Sequence, residues 1–359
     1  MRSGSDITSN PTTKCGCDTP VPVPNSPTGS KYGKQLFANF EVMFLPVKPD
    51  FRLQRFPWLT ALVCLICAVV FSGQLLDRYE YDEAVSDFCD MDRSRLKEMV
   101  FAKIEANHHF EYCDDIAYAL HNSTNESETL SKLMSGMRPL TGFDASESRD
   151  YMTDMLLDEV ARYRQMVPPD PDDGLAYYSE SWNPWTMLTS SFAHGGWAHI
   201  VFNLVFFIAF GTLVEMLIGG FAYAGLIIIV SWICGVFTSV SAMANGEAVA
   251  SLGLSGVVMG MIGLSAFLLP RAKIRCYYWF IILFGSVALP VWALAIWYIG
   301  SDIYVLFTYD DYGFINVMAH VTGGIGGYLF GVLFLRKARL EAQGVQMTLD
   351  RSELRPKFF

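Results

Sequence analysis

Residues 252–260 read LGLSGVVMG and place one hydroxyl, that of Ser255, among glycines at the head of an apolar run. The run continues to Leu269, so the serine falls in the first turn of a predicted membrane-spanning helix. The first turn of a helix carries unpaired N–H groups and the positive end of the helix dipole. A hydroxyl there could serve a reaction that develops negative charge. Taken alone, such a serine more often bonds a backbone carbonyl while its glycines serve close packing.

The composition of the chain indicates a membrane protein. Of its 359 residues, 52% are hydrophobic and 14% aromatic, which is more apolar than an average soluble domain. Runs of about 18 or more mostly uncharged residues are candidate transmembrane helices. Six such runs occur, at 57–76, 198–218, 221–241, 254–270, 277–299 and 314–335. The sequence therefore predicts an all-α polytopic membrane protein with six transmembrane helices.

Basic residues indicate the orientation of these helices. They cluster in three segments: Lys31, Lys34, Lys48, Arg52 and Arg55; then Arg271, Lys273 and Arg275; and finally Arg336, Lys337 and Arg339. The positive-inside rule places all three segments in the cytoplasm, and six spans allow this. The N- and C-termini are then cytoplasmic. The six-span form favours a plasma (inner) membrane, with a membrane of the secretory pathway as the alternative.

The long segment after the first span is acidic. Residues 77–197 carry 24 acidic and 10 basic side chains, a net charge of −14. Apolar residues at helical spacing within it predict a small helical domain outside the membrane, which would shape access or bind a partner; a plain spacer is the alternative. The predicted organisation is a largely disordered N-terminal tail (1–56), the first transmembrane helix (57–76), an acidic helical extracytoplasmic insertion (77–180), a core of helices two to six (181–335) and a C-terminal tail (336–359).

The outer segment also contains residues open to modification. Cys89 and Cys113 could pair in an oxidising compartment, or remain free thiols. Asn122 and Asn125 match the acceptor pattern for N-glycosylation. The histidines of this segment lack the spacing of metal ligands, and no basic patch suits nucleic acid. We therefore expect no metal site, no cofactor and no nucleic-acid partner.

Polar residues inside the spans share one depth. Ser255, His320 and Asn203 lie 14, 15 and 15 residues from the cytoplasmic ends of their helices, or ~21–22 Å at about 1.5 Å per residue. Ionisable and polar groups are costly in a bilayer of roughly 30 Å. His199 is one turn further out on the same face as Asn203. Shared depth predicts one site that water can reach from the outer side.

Glycines predict how two of these helices approach each other. Gly256 and Gly260 in the fourth span, with Gly323 and Gly327 in the sixth, form small-xxx-small pairs that allow close backbone contact. This packing would align the Ser255 hydroxyl with His320. Serine acyl-transfer chemistry follows, with His320 as general base and then general acid.

The oxyanion of such a reaction also has candidate donors in the sequence. The Ser255 N–H, the Asn203 amide and His199 could stabilise it. Gly253 would allow the sharp chain entry that exposes the Ser255 hydroxyl.

These residues give the chain a resemblance to the rhomboid family of intramembrane serine proteases. The shared motifs are GLSG at 253–256, AHVTG at 319–323 followed by Gly327, and His199-xxx-Asn203 with Glu215 twelve residues later. The resemblance implies a six-helix rhomboid-like bundle and a Ser255–His320 dyad with no acidic third member. It also implies that His199 and Asn203 line the oxyanion hole.

The resemblance further implies what the protein acts on. Rhomboid substrates are single-pass membrane proteins, which are cut in or near their transmembrane helix. The fifth span, with Phe284 and Trp292, would be the lateral gate through which a substrate helix enters from the lipid bilayer.

The sequence departs from the family at several positions. Met259 stands where many bacterial members carry an aromatic residue under the catalytic histidine, and a thioether can still pack against the imidazole ring. The Trp-Arg pair of the first outer loop becomes Trp185-Thr186. Glu215 either bonds a neighbouring helix end or snorkels to the interface, and the first is expected. His194 is expected to be structural.

Two other functions remain to be weighed. The long insertion between the first two spans is similar to one in inactive family members, so the alternative function is binding of transmembrane helices without cleavage. A transporter or channel would need a continuous polar pathway. Spans three and five carry no ionisable residue in their predicted centres, which argues against that function.

Overall fold

The computed structural model describes residues 43–49, 56–90, 130, 139–140, 142–246, 249–280, 283–308 and 315–343. Outside these ranges lie Cys113, Asn122, Asn125 and most of the two predicted tails. The chain divides into two units, one of residues 1–26 with 91–164 and the other of residues 27–90 with 165–359.

The described helices and strands are as follows. The helices are α1 (Trp58–Asp90), α2 (Ala145–Met166), α3 (Pro184–Thr189), α4 (Trp197–Ile218), α5 (Gly220–Asn245), α6 (Ser255–Leu268), α7 (Val291–Thr308) and α8 (Ile315–Phe334). The strands are β1 (Met43–Pro49), β2 (Tyr177–Tyr178), β3 (Ala250–Ser251), β4 (Lys273–Phe280) and β5 (Leu283–Pro290). A 3-10 turn, Ser190–Phe192, follows α3.

Five of the described helices are long and apolar enough to cross a membrane: α1, α4, α5, α7 and α8. The shorter apolar helix α6 has 14 residues, nearly all of them buried. At about 1.5 Å per residue it is roughly 21 Å long. These helices confirm the predicted all-α polytopic membrane fold.

The prediction of a span at 277–299 is wrong in its position. Residues 273–280 and 283–290 form the antiparallel strands β4 and β5, and the helix α7 begins only at Val291. A continuous apolar run does not separate a strand from a helix. Burial along β4 instead alternates, with Ile274 and Cys276 inside and Lys273 and Arg275 outside, as the period of a strand requires.

The N-terminal tail supplies a further strand. Residues 43–49 form β1, which pairs antiparallel with β4 and completes a three-stranded sheet in the order β1-β4-β5. This strand within the tail was not predicted from the sequence. The first helix also differs, because α1 continues past the predicted end at Leu76 to Asp90.

The start of α1 is held by a carboxylate from α4. Glu215 accepts hydrogen bonds from the Leu59 N–H (3.0 Å), the Thr60 N–H (2.8 Å) and the Thr60 hydroxyl (2.7 Å). These donors include N–H groups that the first turn of a helix leaves unpaired. Glu215 is buried, and the three donors offset the cost of removing its charge from water. Of the two predicted roles, bonding a neighbouring helix end is the one observed.

The acidic segment contains the described helix α2, in agreement with the helical spacing of its sequence. Asp144 caps this helix, because its side chain accepts hydrogen bonds from the N–H groups of Ser146 and Glu147 at 2.8 Å. One face of α2 is buried and carries Met152, Met155, Leu156, Val160 and Tyr163. The helix thus has the apolar stripe of an element that packs in a folded domain.

Candidate active site

The chain enters α6 through a backbone conformation that favours glycine. Gly253 has φ +115°, and its N–H donates to the Ser190 carbonyl at 2.9 Å. A Cβ at this position would lie 2.6 Å from Nε2 of His199, closer than real Cβ contacts. Both conformation and space therefore require glycine, two residues before Ser255 begins the helix.

A short strand pair fixes the approach to that entry. Ser251 pairs with Tyr177 and Ala250 with Tyr178, so β3 is tied to the segment that precedes α3. The Ser179 N–H donates to the Val249 carbonyl at 2.9 Å. These contacts hold the chain before Gly253 on the same side of the molecule as the loop that leads into α4.

Two side chains of α4 lie beside Gly253. Asn203 is buried, and its Nδ2 would be 3.7 Å from a Cβ at Gly253. This nitrogen has no hydrogen-bond partner among the described residues. A buried donor without an acceptor costs free energy, so each such group needs an explanation. His199, one turn earlier, faces the same glycine, and the two side chains converge on the start of α6.

His194 supports His199 from the loop before α4. The two rings pack edge to face with centroids 5.1 Å apart. The His194 N–H donates to Gln74 Oε1 at 3.0 Å, and His194 Nδ1 lies 3.3 Å from the Phe192 carbonyl. Burial lowers the pKa of His194 to about 4, which the hydrogen bond to Phe192 only partly offsets. His194 is therefore neutral at pH 7, and its Nδ1–H donates a hydrogen bond to the Phe192 carbonyl.

A polar network continues from Gln74 to the loop that precedes β2. Gln74 Nε2 donates to Asp172 Oδ1, and Arg78 Nη2 donates to Asp172 Oδ2, both at 2.7 Å. Arg78 also contacts Asp170 at 3.3 Å. Burial raises the pKa of the Asp172 carboxyl above its ordinary value, while the charge of Arg78 acts in the opposite direction. The network joins α1 to the loop that carries His194. Sequence analysis missed it because its members lie about 100 residues apart.

The helices α6 and α8 touch backbone to backbone. At three glycine pairs, a Cβ on one residue would overlap the carbonyl of the other: Gly256 with Gly323, Gly260 with Gly327, and Gly263 with Gly324. Contact this close is available only without side chains. Because Ser255 adjoins Gly256, and His320 is one turn before Gly323 and Gly324, the packing brings the ends of the two helices that carry Ser255 and His320 together.

A small cavity of about 30 Å³ opens beside the predicted nucleophile. Ser255, Ser251, Cys234 and Ala319 are among the residues that line it, and the volume is close to that of one water molecule. Cys234 Sγ donates to the Ala319 carbonyl at 3.2 Å. The residue that precedes His320 thus faces the same space as Ser255.

Ser255 and His320, the predicted nucleophile and base, are not hydrogen-bonded to each other in the described structure. Met259, one turn after Ser255, is buried in the apolar core. The ring of His320 is instead held at its other nitrogen, because Nδ1 lies 3.0 Å from Oδ2 of Asp302 on α7. This differs from the expected absence of an acidic partner and of ionisable residues in the fifth span. Asp302 was missed because the sequence analysis ended that span at residue 299.

Among the residues that the structure describes, no three His, Cys, Asp or Glu side chains come together as a set of metal ligands. The family model for the Rhomboid domain matches residues 181–337. No curated protein matches the chain. The matched range contains α3 to α8, and so every residue of the candidate site.

Proposed function

The chain carries a rhomboid-family domain at residues 181–337, and from this premise we propose that it is an intramembrane serine endopeptidase. Its substrates would be single-pass membrane proteins, cut in or near their transmembrane helix. Ser255 and His320 would be the catalytic residues, and Asn203 with His199 would form the oxyanion hole.

The observation that carries this proposal is the buried amide nitrogen of Asn203 beside the entry to α6, which has no hydrogen-bond partner among the described residues. A protein tolerates such a donor where it stabilises charge that develops only during a reaction. The first N–H groups of α6 and the positive end of its dipole point to the same place. Both features favour acyl-transfer chemistry over a purely structural serine.

The reaction would proceed in two stages, acylation of Ser255 and hydrolysis of the acyl-enzyme. In the first, His320 Nε2 takes the proton of the Ser255 hydroxyl, and Oγ attacks the carbonyl carbon of the scissile bond. The oxyanion accepts hydrogen bonds from the Ser255 N–H and Asn203 Nδ2, with His199 beside them. Collapse of this intermediate breaks the C–N bond, and His320 returns its proton to the leaving amine.

Water completes the second stage. It attacks the acyl–serine ester with His320 again as general base, and the new C-terminus leaves as Ser255 regains its proton. The cavity beside Ser255 has room for one water molecule. No other co-reactant is required.

The proposed orientation follows from the basic residues at the ends of the spans. Both termini face the cytoplasm, and the start of α6 faces the outer side, most simply across a plasma (inner) membrane. The acidic segment 77–180 is then extracytoplasmic, where it would recognise substrates or shape their access to the site.

The second candidate is a protein that binds transmembrane helices without cutting them. Two observations favour it: Ser255 and His320 are not hydrogen-bonded to each other, and Met259 takes the place of an aromatic residue. Catalytic hydrogen bonds are often long without a substrate and tighten only in its complex. The protease is therefore the better-supported function.

Cleavage by the intact protein in lipid vesicles tests the proposal. We expect a single-pass substrate with small residues in its transmembrane helix to yield two fragments, with the cut mapped to that helix by mass spectrometry. We also expect a fluorophosphonate probe to label Ser255. Folded protein that binds the substrate helix but neither cuts it nor takes the probe would establish the second candidate.

Replacing Asn203 with alanine is expected to lower kcat by roughly 10²–10³-fold, since loss of one oxyanion donor costs about 2.7–4 kcal/mol. KM should stay near its wild-type value because the donor acts on charge absent from the bound substrate. Steady-state kinetics in vesicles measures both constants.

A matched control for this variant is Thr238→Val. Like the Asn203 amide nitrogen, the Thr238 hydroxyl is buried and has no partner among the described residues. Thr238→Val should leave kcat unchanged. If Asn203→Ala retained the wild-type kcat, Asn203 would have no part in the mechanism.

A further inference from the structure

We propose that Asp302 is a positioning residue for His320, so that the site operates as a Ser255–His320–Asp302 triad. This inference rests on the proposed function and adds a third residue to its catalytic pair. The observation behind it is the 3.0 Å contact between Oδ2 of Asp302 and Nδ1 of His320.

The packing of α7 on α8 produces this contact. A Cβ at Gly324 would lie 2.6 Å from Cδ1 of Ile299, so the two helices touch at this level. Gly324 is one turn after His320 on α8, and Ile299 is about one turn before Asp302 on α7. The two helices are antiparallel and touch at Ile299 and Gly324. One turn from this contact, Asp302 on α7 therefore lies beside His320 on α8.

The carboxylate of Asp302 has no competing charge partner. It forms no ion pair with a lysine or arginine in the described part of the chain, and its recorded partner is His320. It is the one acidic residue of α7, within an otherwise apolar sequence. Acidic groups in apolar helices are costly and usually mark a functional pair. A role in holding His320 accounts for its presence.

The contact determines which nitrogen of His320 carries the proton. A carboxylate accepts hydrogen bonds, so in the neutral ring Nδ1 must carry the proton and donate a hydrogen bond to Asp302. The lone pair of Nε2 is then free to accept the proton of the Ser255 hydroxyl. When that transfer makes the ring an imidazolium, the negative charge of Asp302 stabilises it. Asp302 itself takes up no proton in this scheme.

The alternative role for Asp302 is to anchor α7 against α8. The Asp302 and His320 side chains are partly buried, at 20% and 25% exposed, and a single hydrogen bond between them contributes only modestly to net stability. An anchor would affect the melting midpoint and substrate binding. A positioning residue would instead affect kcat while KM and the midpoint stay constant, which separates the two roles.

Kinetics of three variants in vesicles test the proposal. Asp302→Asn keeps the size of the side chain but removes its charge, and we expect kcat to fall roughly 10- to 100-fold, part of what general base catalysis supplies. KM should change by less than about twofold and the melting midpoint should be unchanged. Asp302→Glu, which retains a carboxylate, should recover part of the lost kcat.

The matched control is Ser301→Ala, whose hydroxyl donates to the Tyr298 carbonyl at 2.8 Å and not to His320. It should retain the wild-type kcat. Wild-type kcat in Asp302→Asn, or a loss that follows the melting midpoint, would overturn the triad and leave the protease proposal intact. A wild-type protein that neither cleaves nor takes the fluorophosphonate probe would overturn both.

Discussion

Replacement of Ser255 by alanine is expected to abolish cleavage and fluorophosphonate labelling while the protein remains folded. The loss should be at least about 10⁴-fold, because no other group can take the place of the nucleophile. The Ser255 hydroxyl makes no hydrogen bond to another described residue, and glycine contacts, not this side chain, hold α6 to α8. The melting midpoint in detergent should therefore stay within about 2 °C of the wild-type value.

Ser265→Ala is the matched control, since Ser265 lies on the same helix and its buried hydroxyl has no hydrogen-bond partner among the described residues. It is ten residues, or about 15 Å, further along α6. This variant should cleave and label like the wild type. Residual cleavage in Ser255→Ala would show that another nucleophile acts. Loss of folding in Ser255→Ala would show that the hydroxyl is structural.

The helices that hold the candidate site could be predicted because their sequences are simple. The apolar runs for α4, α5 and α8 lie between glycines or charged residues, which limit each helix to within a few residues of the prediction. The grouping of Ser255, His320 and Asn203 was predicted from their shared depth in the bilayer, and the approach of Ser255 to His320 was predicted from the glycine pairs.

The parts that could not be predicted depend on contacts between distant segments. The strands β4 and β5 have the composition of a membrane span, and β1, more than 200 residues away, pairs with β4. Nothing local in either sequence reports this pairing. The position of Asp302 depended on it, since β4 and β5 occupy residues 273–280 and 283–290 and the next helix, α7, begins only at Val291.

The polar network around His194 illustrates the same limit. From sequence alone, Gln74 and Arg78 are predicted at the end of a transmembrane helix, and Asp172 is predicted in a loop after another helix. Their hydrogen bonds become visible only when α1 and this loop are placed together. No repeated spacing marks these single residues as partners in the sequence. Glycines at four-residue spacing, in contrast, indicate that a second helix packs against them.

Replacement of Gly327 by valine is expected to prevent α6 and α8 from packing, with loss of the folded protein. A Cβ at Gly327 would overlap the Gly260 carbonyl and also lie 2.7 Å from the Gly260 Cα. A backbone cannot move aside as a flexible side chain can, so the helices must separate. We expect a cost of about 3 kcal/mol or more, at the upper end of overpacked cores, measured as a fall in the melting midpoint and in the yield of monodisperse protein.

Gly225→Val is the control, because Gly225 lies within α5 and a Cβ there would meet nothing within 4 Å. It adds the same side chain to a transmembrane helix and should leave the yield and midpoint near the wild-type values. If Gly327→Val folded as well as Gly225→Val, the two backbones could not be in contact at Gly260. The proposed alignment of Ser255 with His320 would then need another cause, because the same glycine pairs bring together the helix ends that carry these two residues.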